Sequence, residues 1–106
     1  MRNISFRAHG QSLERVKAED EGPIVRGTKG YLQARFELDA PWKGRRVVAR
    51  FFDERGREHA VEAERRRCMV PDAVTDGKRF SVSLVGAGKD GSRLTTNRVT
   101  VYQEAM

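Results

Sequence analysis

Phe80-Ser81-Val82-Ser83-Leu84 alternates apolar and hydroxyl-bearing residues one by one. Arg35-Phe36-Glu37-Leu38 repeats this period of two with charged residues at the polar positions, and Val99-Thr100-Val101 repeats it again. Successive side chains of a β-strand point to opposite sides of the sheet, so this period is typical of strands with one buried face. The alternation recurs between Tyr31 and Val101, and it therefore predicts an all-β protein.

Turn residues separate the alternating segments at intervals of about ten residues, a spacing typical of a β-sandwich or a small barrel. We expect seven or eight short antiparallel strands, at residues 2–8, 12–18, 31–38, 46–53, 57–64, 67–70, 79–86 and 92–103. The last of them is expected to bend at Asn97. Pro71 followed by an acidic residue predicts one helical turn near residues 71–75.

Residues 57–67 leave an alternative open, because Ala, Glu and Arg are good helix formers and the segment is rich in them. We favour a strand, since the polar connection Asp53-Glu54-Arg55-Gly56 joins it to the preceding strand as a hairpin.

The composition is that of one domain, residues 1–106, because a chain of this length buries a single modest core. No apolar run approaches the roughly 20 residues that span a bilayer. The N-terminus has no apolar stretch of the kind found in secretory signals. The single cysteine, Cys68, fits a reducing compartment and is expected to be a buried strand residue. We therefore expect a chain made in the bacterial cytoplasm, with no membrane span.

The sequence gives no sign of catalytic or metal chemistry. Cys68 and the only two histidines, His9 and His59, have neither triad-like context nor ligand spacing. The glycine-rich loop 86–92 differs from a phosphate-binding loop, because Lys89 is followed by Asp90 and then by a strand. We expect no enzyme activity, no cofactor and no bound metal.

The net charge of +6 is compatible with attraction to phosphate or to acidic proteins, although a genome that favours arginine is an equal explanation. Basic residues cluster at 43–46, 65–67 and 78–79. Glutamates in the hairpin 46–64 are placed to neutralise part of this charge, so we favour a solvated face of mixed charge there.

A few residues stand out as binding candidates because they occur in loops or turns, where a rigid scaffold carries function. Trp42 is either a core residue or an exposed interface anchor. The other candidates are Arg65, Arg66, Arg67, Lys89 and Asp90.

The order of several motifs resembles a family of small immunoglobulin-like domains in the tail, baseplate or fibre proteins of phages and prophages. An aromatic strand precedes a Trp-x-Gly turn, a Cys-x-Val-Pro step follows, and Thr-Thr-Asn opens the last strand. The segments that carry the resemblance are Tyr31–Phe36, Trp42-Lys43-Gly44, Ala49-Arg50-Phe51, Arg67–Pro71, Phe80–Gly86 and Arg93–Val99. In that family a fibre or adhesin segment often follows the domain, whereas this chain ends at Met106.

The resemblance implies an immunoglobulin-like β-sandwich that acts as a structural or adhesive part of a virion, including capsid decoration. Its expected partners are other virion proteins, further copies of itself in a homo-oligomer, or a glycan of the host surface. The alternative is a small basic inhibitor or nucleic-acid-binding protein encoded by a phage, which the arginine clusters favour.

Overall fold

The computed structural model covers residues 1–106 and is all-β, which confirms the predicted fold class. Its strands are β1 (Arg2–His9), β2 (Ser12–Val16), β3 (Leu32–Leu38), β4 (Arg46–Phe52), β5 (Glu58–Ala63), β6 (Arg67–Met69), β7 (Arg79–Ala87), β8 (Arg93–Thr95) and β9 (Val99–Tyr102). Single 3-10 turns occur at Ala40–Trp42 and Asp72–Val74. The second confirms the helical turn predicted near 71–75.

The strands form two sheets that pack into a sandwich. The four-stranded sheet has the order β2-β1-β3-β6. The five-stranded sheet has the order β5-β4-β7, and both β8 and β9 pair with the far side of β7. The predicted hairpin is confirmed, since β4 and β5 pair antiparallel from Val47–Ala63 to Phe52–Glu58. Residues 57–67 therefore hold a strand and not a helix.

One pairing departs from the predicted antiparallel arrangement, because β1 and β3 are parallel from Arg2–Leu32 to Ala8–Leu38. The strand β2 runs back along β1 and ends with Val16 beside Ser5, towards the start of β1. The loop of residues 17–31 enters β3 at this same end of the sheet. The strand β3 must then run in the direction of β1, as parallel neighbours joined by a long connection do.

The core lies between the sheets and consists of the apolar positions that the alternation marks. Phe6 of β1 stacks on Phe36 of β3, with ring centroids 5.6 Å apart. Phe51 of β4 lies against Phe80 of β7 at 6.2 Å. Burying side chains of this size contributes about 1.5–3 kcal/mol each. Both ring pairs belong to the same core cluster, so both sheets depend on one shared interior.

The predicted last strand is two strands, β8 and β9, and this division raises the total to nine. The chain breaks at Asn97, where a bend was expected, and the Asn97 side chain pairs with the outer edge of β2. Its Oδ1 accepts the Leu13 N–H at 2.7 Å, and its Nδ2 donates to the Leu13 carbonyl at 3.1 Å. The amide thus takes the place of a neighbouring strand and links the two sheets at this edge. None of the helical segments has the length and apolar character needed to cross a membrane.

Candidate binding surfaces

Trp42 is a core residue, with only 2% of its surface exposed. Its indole Nε1–H donates to the Gly10 carbonyl at 2.9 Å. Its ring lies so close to Gly86 that a Cβ atom there would come within 2.8 Å of it. Of the two alternatives for Trp42, the core residue is therefore the one that the structure shows, and a buried side chain offers nothing to a partner.

Lys89 and Asp90 lie at the tip of the β7–β8 loop, where Asp90 organises the turn. Its Oδ1 accepts the Ser92 hydroxyl at 2.6 Å and the Ser92 N–H at 3.0 Å. The hydroxyl bond, followed by the backbone bond, lowers the pKa of the Asp90 carboxyl from its usual value. Asp90 is thus occupied by local structure, whereas Lys89 is exposed at the loop tip.

The outer side of the β4–β5 hairpin carries the mixed charge that the sequence predicts. Arg46 and Glu62 form a bidentate pair with two contacts of 2.9 Å. Arg50 donates through Nε to Glu58 at 2.8 Å. The hydrogen bonds and opposite charges of this pair lower the pKa of the Glu62 carboxyl and raise the pKa of the Arg46 guanidinium. Arg46 and Arg50 are consequently neutralised by glutamates of the chain itself.

Arg65 and Arg66 form a turn that joins the two sheets. The N–H and carbonyl groups of Glu64 and Arg67 exchange hydrogen bonds of 3.1 Å, so the connection between them is a two-residue hairpin loop. Both arginines have left-handed backbones, with φ of 53° and 62°. This is the type I′ geometry, which Asn-Gly normally supplies. Phe36 N–H donates to the Arg66 carbonyl at 2.8 Å, which anchors the turn to β3.

Arg67 stands directly opposite Arg35 in the pairing of β3 with β6. Like charges at such positions destabilise a sheet. The four exposed residues Arg35, Arg65, Arg66 and Arg67, hereafter the arginine cluster, take part in no salt bridge. Three of them, all but Arg67, line an open groove of about 390 Å³.

The register brings the arginine cluster and Lys89 to the same end of the molecule. Val47 of β4 pairs with Ala63 on one side and with Gly86 on the other. The β5–β6 turn and the β7–β8 loop therefore leave the five-stranded sheet at one end. There β5 and β7, which flank β4, are roughly 10 Å apart. Of the predicted contact residues, Arg65–Arg67 lie together, and Lys89 lies in a loop at the same end of the molecule.

A second cationic surface covers the outer side of the five-stranded sheet and was not predicted from the sequence. The Arg98 guanidinium lies over the Phe52 ring at 3.6 Å from its centroid, a cation–π contact. Tyr102 is 71% exposed on the same side. We call Arg79, Arg93, Arg98 and Tyr102 the Arg98 face; its arginines form no salt bridge. Arg79, Arg93 and Tyr102 occupy outward positions on β7, β8 and β9, whereas Arg98 lies in the connection between β8 and β9.

Another groove, of about 580 Å³, lies between the loop 17–24 and the end of β9. Arg15 in its wall donates to Glu21 at 2.7 Å, and both side chains are largely buried. This pair fastens the long loop to β2. The groove is therefore a consequence of how the loop 17–24 is held against β2.

Cys68 is buried in β6, as predicted, and burial raises the pKa of its thiol to about 12. A thiol in this state is inert as a nucleophile. The chain contains no group of three or more His, Cys, Asp or Glu side chains placed to hold a metal ion.

No protein-family model, no curated protein and no solved structure matches this chain.

Proposed function

We propose that this chain is a non-enzymatic structural or adhesive module of a phage or prophage particle, docking on neighbouring proteins of the tail, baseplate, fibre or capsid. One observation carries the proposal. The motifs that resemble the phage immunoglobulin-like domains occupy the positions that lock this sandwich together, which is where a motif shared across a family of folds belongs.

Trp42 and Gly86, from two of these motifs, require each other, because the Trp42 ring fills the space that a Cβ at Gly86 needs. The Thr-Thr-Asn motif has a comparable role. Thr96 Oγ1 accepts the Leu84 N–H at 2.9 Å, and Asn97 pairs with the edge of β2. These contacts give residues of the motifs defined packing roles in this sandwich, as the proposal expects of them.

The outward surfaces support a binding role for such a scaffold. Both sheets present arginines that the chain leaves without acidic partners, in the arginine cluster and on the Arg98 face. Arginine is among the residues that contribute most to protein interfaces. A rigid sandwich with unneutralised arginines on its outside is suited to docking.

Mass spectrometry of particles purified from the strain that encodes the chain tests the proposal. We expect peptides of this chain to co-purify with the particles through a density gradient, at a stoichiometry that matches a symmetric position. A cytoplasmic protein of similar abundance serves as the control for carry-over. Absence of the chain from intact particles would remove the proposal.

Nucleic-acid binding is a second candidate, and the Arg98 face is the observation that favours it. Exposed arginines and an exposed tyrosine on the outer face of a sheet provide phosphate contacts and a stacking ring. A filter-binding titration with single-stranded DNA at rising salt tests this candidate. Affinity that falls steeply with salt in the wild type, and by about tenfold in Tyr102→Ala, would support it. Affinity that does not change with salt would exclude phosphate contacts.

A further inference from the structure

We propose that the arginine cluster is a docking site for an acidic segment of a partner protein, held by its carboxylates. The inference rests on the proposed function in so far as the partner is a neighbouring protein of the particle. It starts from two features that are unfavourable for the isolated chain: the like-charge pair Arg35–Arg67 and the left-handed turn Arg65–Arg66. Unusual backbone conformations that persist in a fold are concentrated at functional sites.

The turn holds its arginines in a fixed position. The Glu64–Arg67 hydrogen bonds close it on one side, and the bond from Phe36 N–H to the Arg66 carbonyl fixes it to β3 on the other. The same turn connects a strand of one sheet to a strand of the other. A partner therefore meets guanidinium groups on a preformed backbone, which reduces the ordering entropy that binding must overcome.

The shape and surroundings of the cluster favour a carboxylate-bearing protein segment over nucleic acid. The cationic stretch is short, because the next cross-strand row on the same side of the sheet is Glu14, Arg7 and Glu37. Glu37 also lines the groove and is 2.9 Å from Arg7. An extended phosphate backbone would run onto these carboxylates.

Stacking also separates the two ligand classes. The aromatic residues of the groove, Phe6 and Phe36, are buried and present no ring for bases. Single-stranded nucleic acid depends on such stacking. A compact acidic loop needs only the paired N–H groups of arginine, which match a carboxylate in bidentate geometry.

Binding of defined probes tests the inference. We would measure the affinity of a dye-labelled poly-glutamate peptide for the wild type, with a poly-glutamine peptide of equal length as the neutral control. The expected result is that Arg35→Gln/Arg67→Gln weakens poly-glutamate binding by about tenfold. The matched variant Arg46→Gln/Arg50→Gln removes the same charge from the neutralised hairpin, so it should leave the affinity within about twofold.

Three outcomes would overturn the inference. The first is that the wild type fails to bind poly-glutamate. The second is that the two double variants weaken binding equally. The third is that single-stranded DNA of equal charge competes better than the peptide. The first shows that there is no site, the second that only net charge matters, and the third that nucleic acid is the occupant. Light scattering of the wild type at several concentrations measures whether the chain associates with itself. Self-association that Arg35→Gln/Arg67→Gln abolishes would make a second copy the occupant of the site and would likewise overturn the inference.

Particle analysis separates this inference from the proposed function. If the wild-type chain is present in particles and Arg35→Gln/Arg67→Gln is incorporated equally well, the cluster is not the docking site and the proposed function stands. If the wild type is absent from particles, the proposed function fails whatever the peptide measurement gives. Thermal unfolding of each variant confirms that it is folded before either experiment.

Discussion

The strand β5 belongs to the β4–β5 hairpin and also leads into the β5–β6 turn, here called the β5–β6 hairpin because Glu64 and Arg67 pair across it. The two differ in how their arginines are neutralised. In the β4–β5 hairpin, Arg46 and Arg50 each contact a glutamate that lies diagonally across on the neighbouring strand. In the β5–β6 hairpin, the turn itself consists of two arginines with positive φ, and the arginine that follows stands opposite Arg35.

This difference separates charge that supports the fold from charge that does not. Cross-strand pairs of opposite charge stabilise a sheet modestly, whereas like charges directly opposite destabilise it by a similar amount. The β4–β5 hairpin agrees with these rules and the β5–β6 hairpin departs from them. Local departures of this kind are expected where residues serve binding and not stability.

The largest expected effect tests whether both hairpins depend on the same core. Trp42→Ala removes the ring beside Gly86 and the hydrogen bond to Gly10, so we expect a loss of about 3–5 kcal/mol in the free energy of unfolding. Amide hydrogen exchange should then show protection falling equally in both hairpins. Trp42→Phe keeps an aromatic ring and should lose less. Protection that persists in one hairpin only would show that the two are not coupled through the core.

The next effect concerns the backbone of the β5–β6 turn. Arg65→Asn/Arg66→Gly supplies the residues that a type I′ turn prefers, and it should raise the free energy of unfolding by about 1–3 kcal/mol. Arg65→Lys/Arg66→Lys keeps the charge and the unfavourable backbone, so its stability should stay within about 0.5 kcal/mol of the wild type. Urea unfolding measures both. A double variant no more stable than the wild type would show that the turn is not strained.

A smaller effect, of opposite sign in the two hairpins, tests the charge pairs. Arg35→Gln relieves the repulsion from Arg67 and should stabilise the protein by about 0.2–1 kcal/mol. Arg50→Gln breaks the contact with Glu58 and should destabilise it by a similar amount, about 0.2–1 kcal/mol. Both changes should shrink at ~1 M salt, where the screening length is about 3 Å. Equal signs for the two variants would remove the distinction between the hairpins.

The strand pattern could be predicted from the sequence because burial imposes a period of two that any alternating segment displays. Leu32, Ala34 and Phe36 are buried as their spacing indicates, and the β4–β5 hairpin follows from its polar connection. The parallel pairing of β1 with β3 could not be predicted, since it depends on the route of the loop 17–31. Local sequence does not specify that route.

The candidate site was predicted only in part. The run Arg65–Arg67 is visible as a charge cluster, but its partner Arg35 is distant in sequence and becomes relevant only through the register of β3 with β6. The sequence left Trp42 open between a core residue and an exposed anchor. The structure decides for the core, because the space for its ring depends on Gly86, more than forty residues away. Contacts between sheets therefore decide which turn residues are accessible.

Acid should affect the two hairpins differently, and this is the smallest effect that we expect. Asp53 accepts the N–H groups of Arg55 and Arg57 at 3.0 and 2.9 Å. The bond from Arg57 makes the largest contribution to a lowered pKa of the Asp53 carboxyl, and the contact with Arg46 lowers that of Glu62. These carboxylates stabilise the fold above their unfolded pKa values of about 4. That stabilisation is lost as the pH falls through their lower folded values.

The β5–β6 turn should not respond in this range, because its arginines keep their charge at every accessible pH. Hydrogen exchange between about pH 5 and pH 2 should therefore show the β4–β5 connection losing protection first, after correction for the intrinsic exchange rate. Asp53→Asn should flatten this dependence, whereas Asp20→Asn, at an exposed loop residue without an ion pair, should leave it unchanged. If both hairpins lose protection together in the wild type, acid destabilises the whole sandwich, and the two hairpins do not differ in their response to pH.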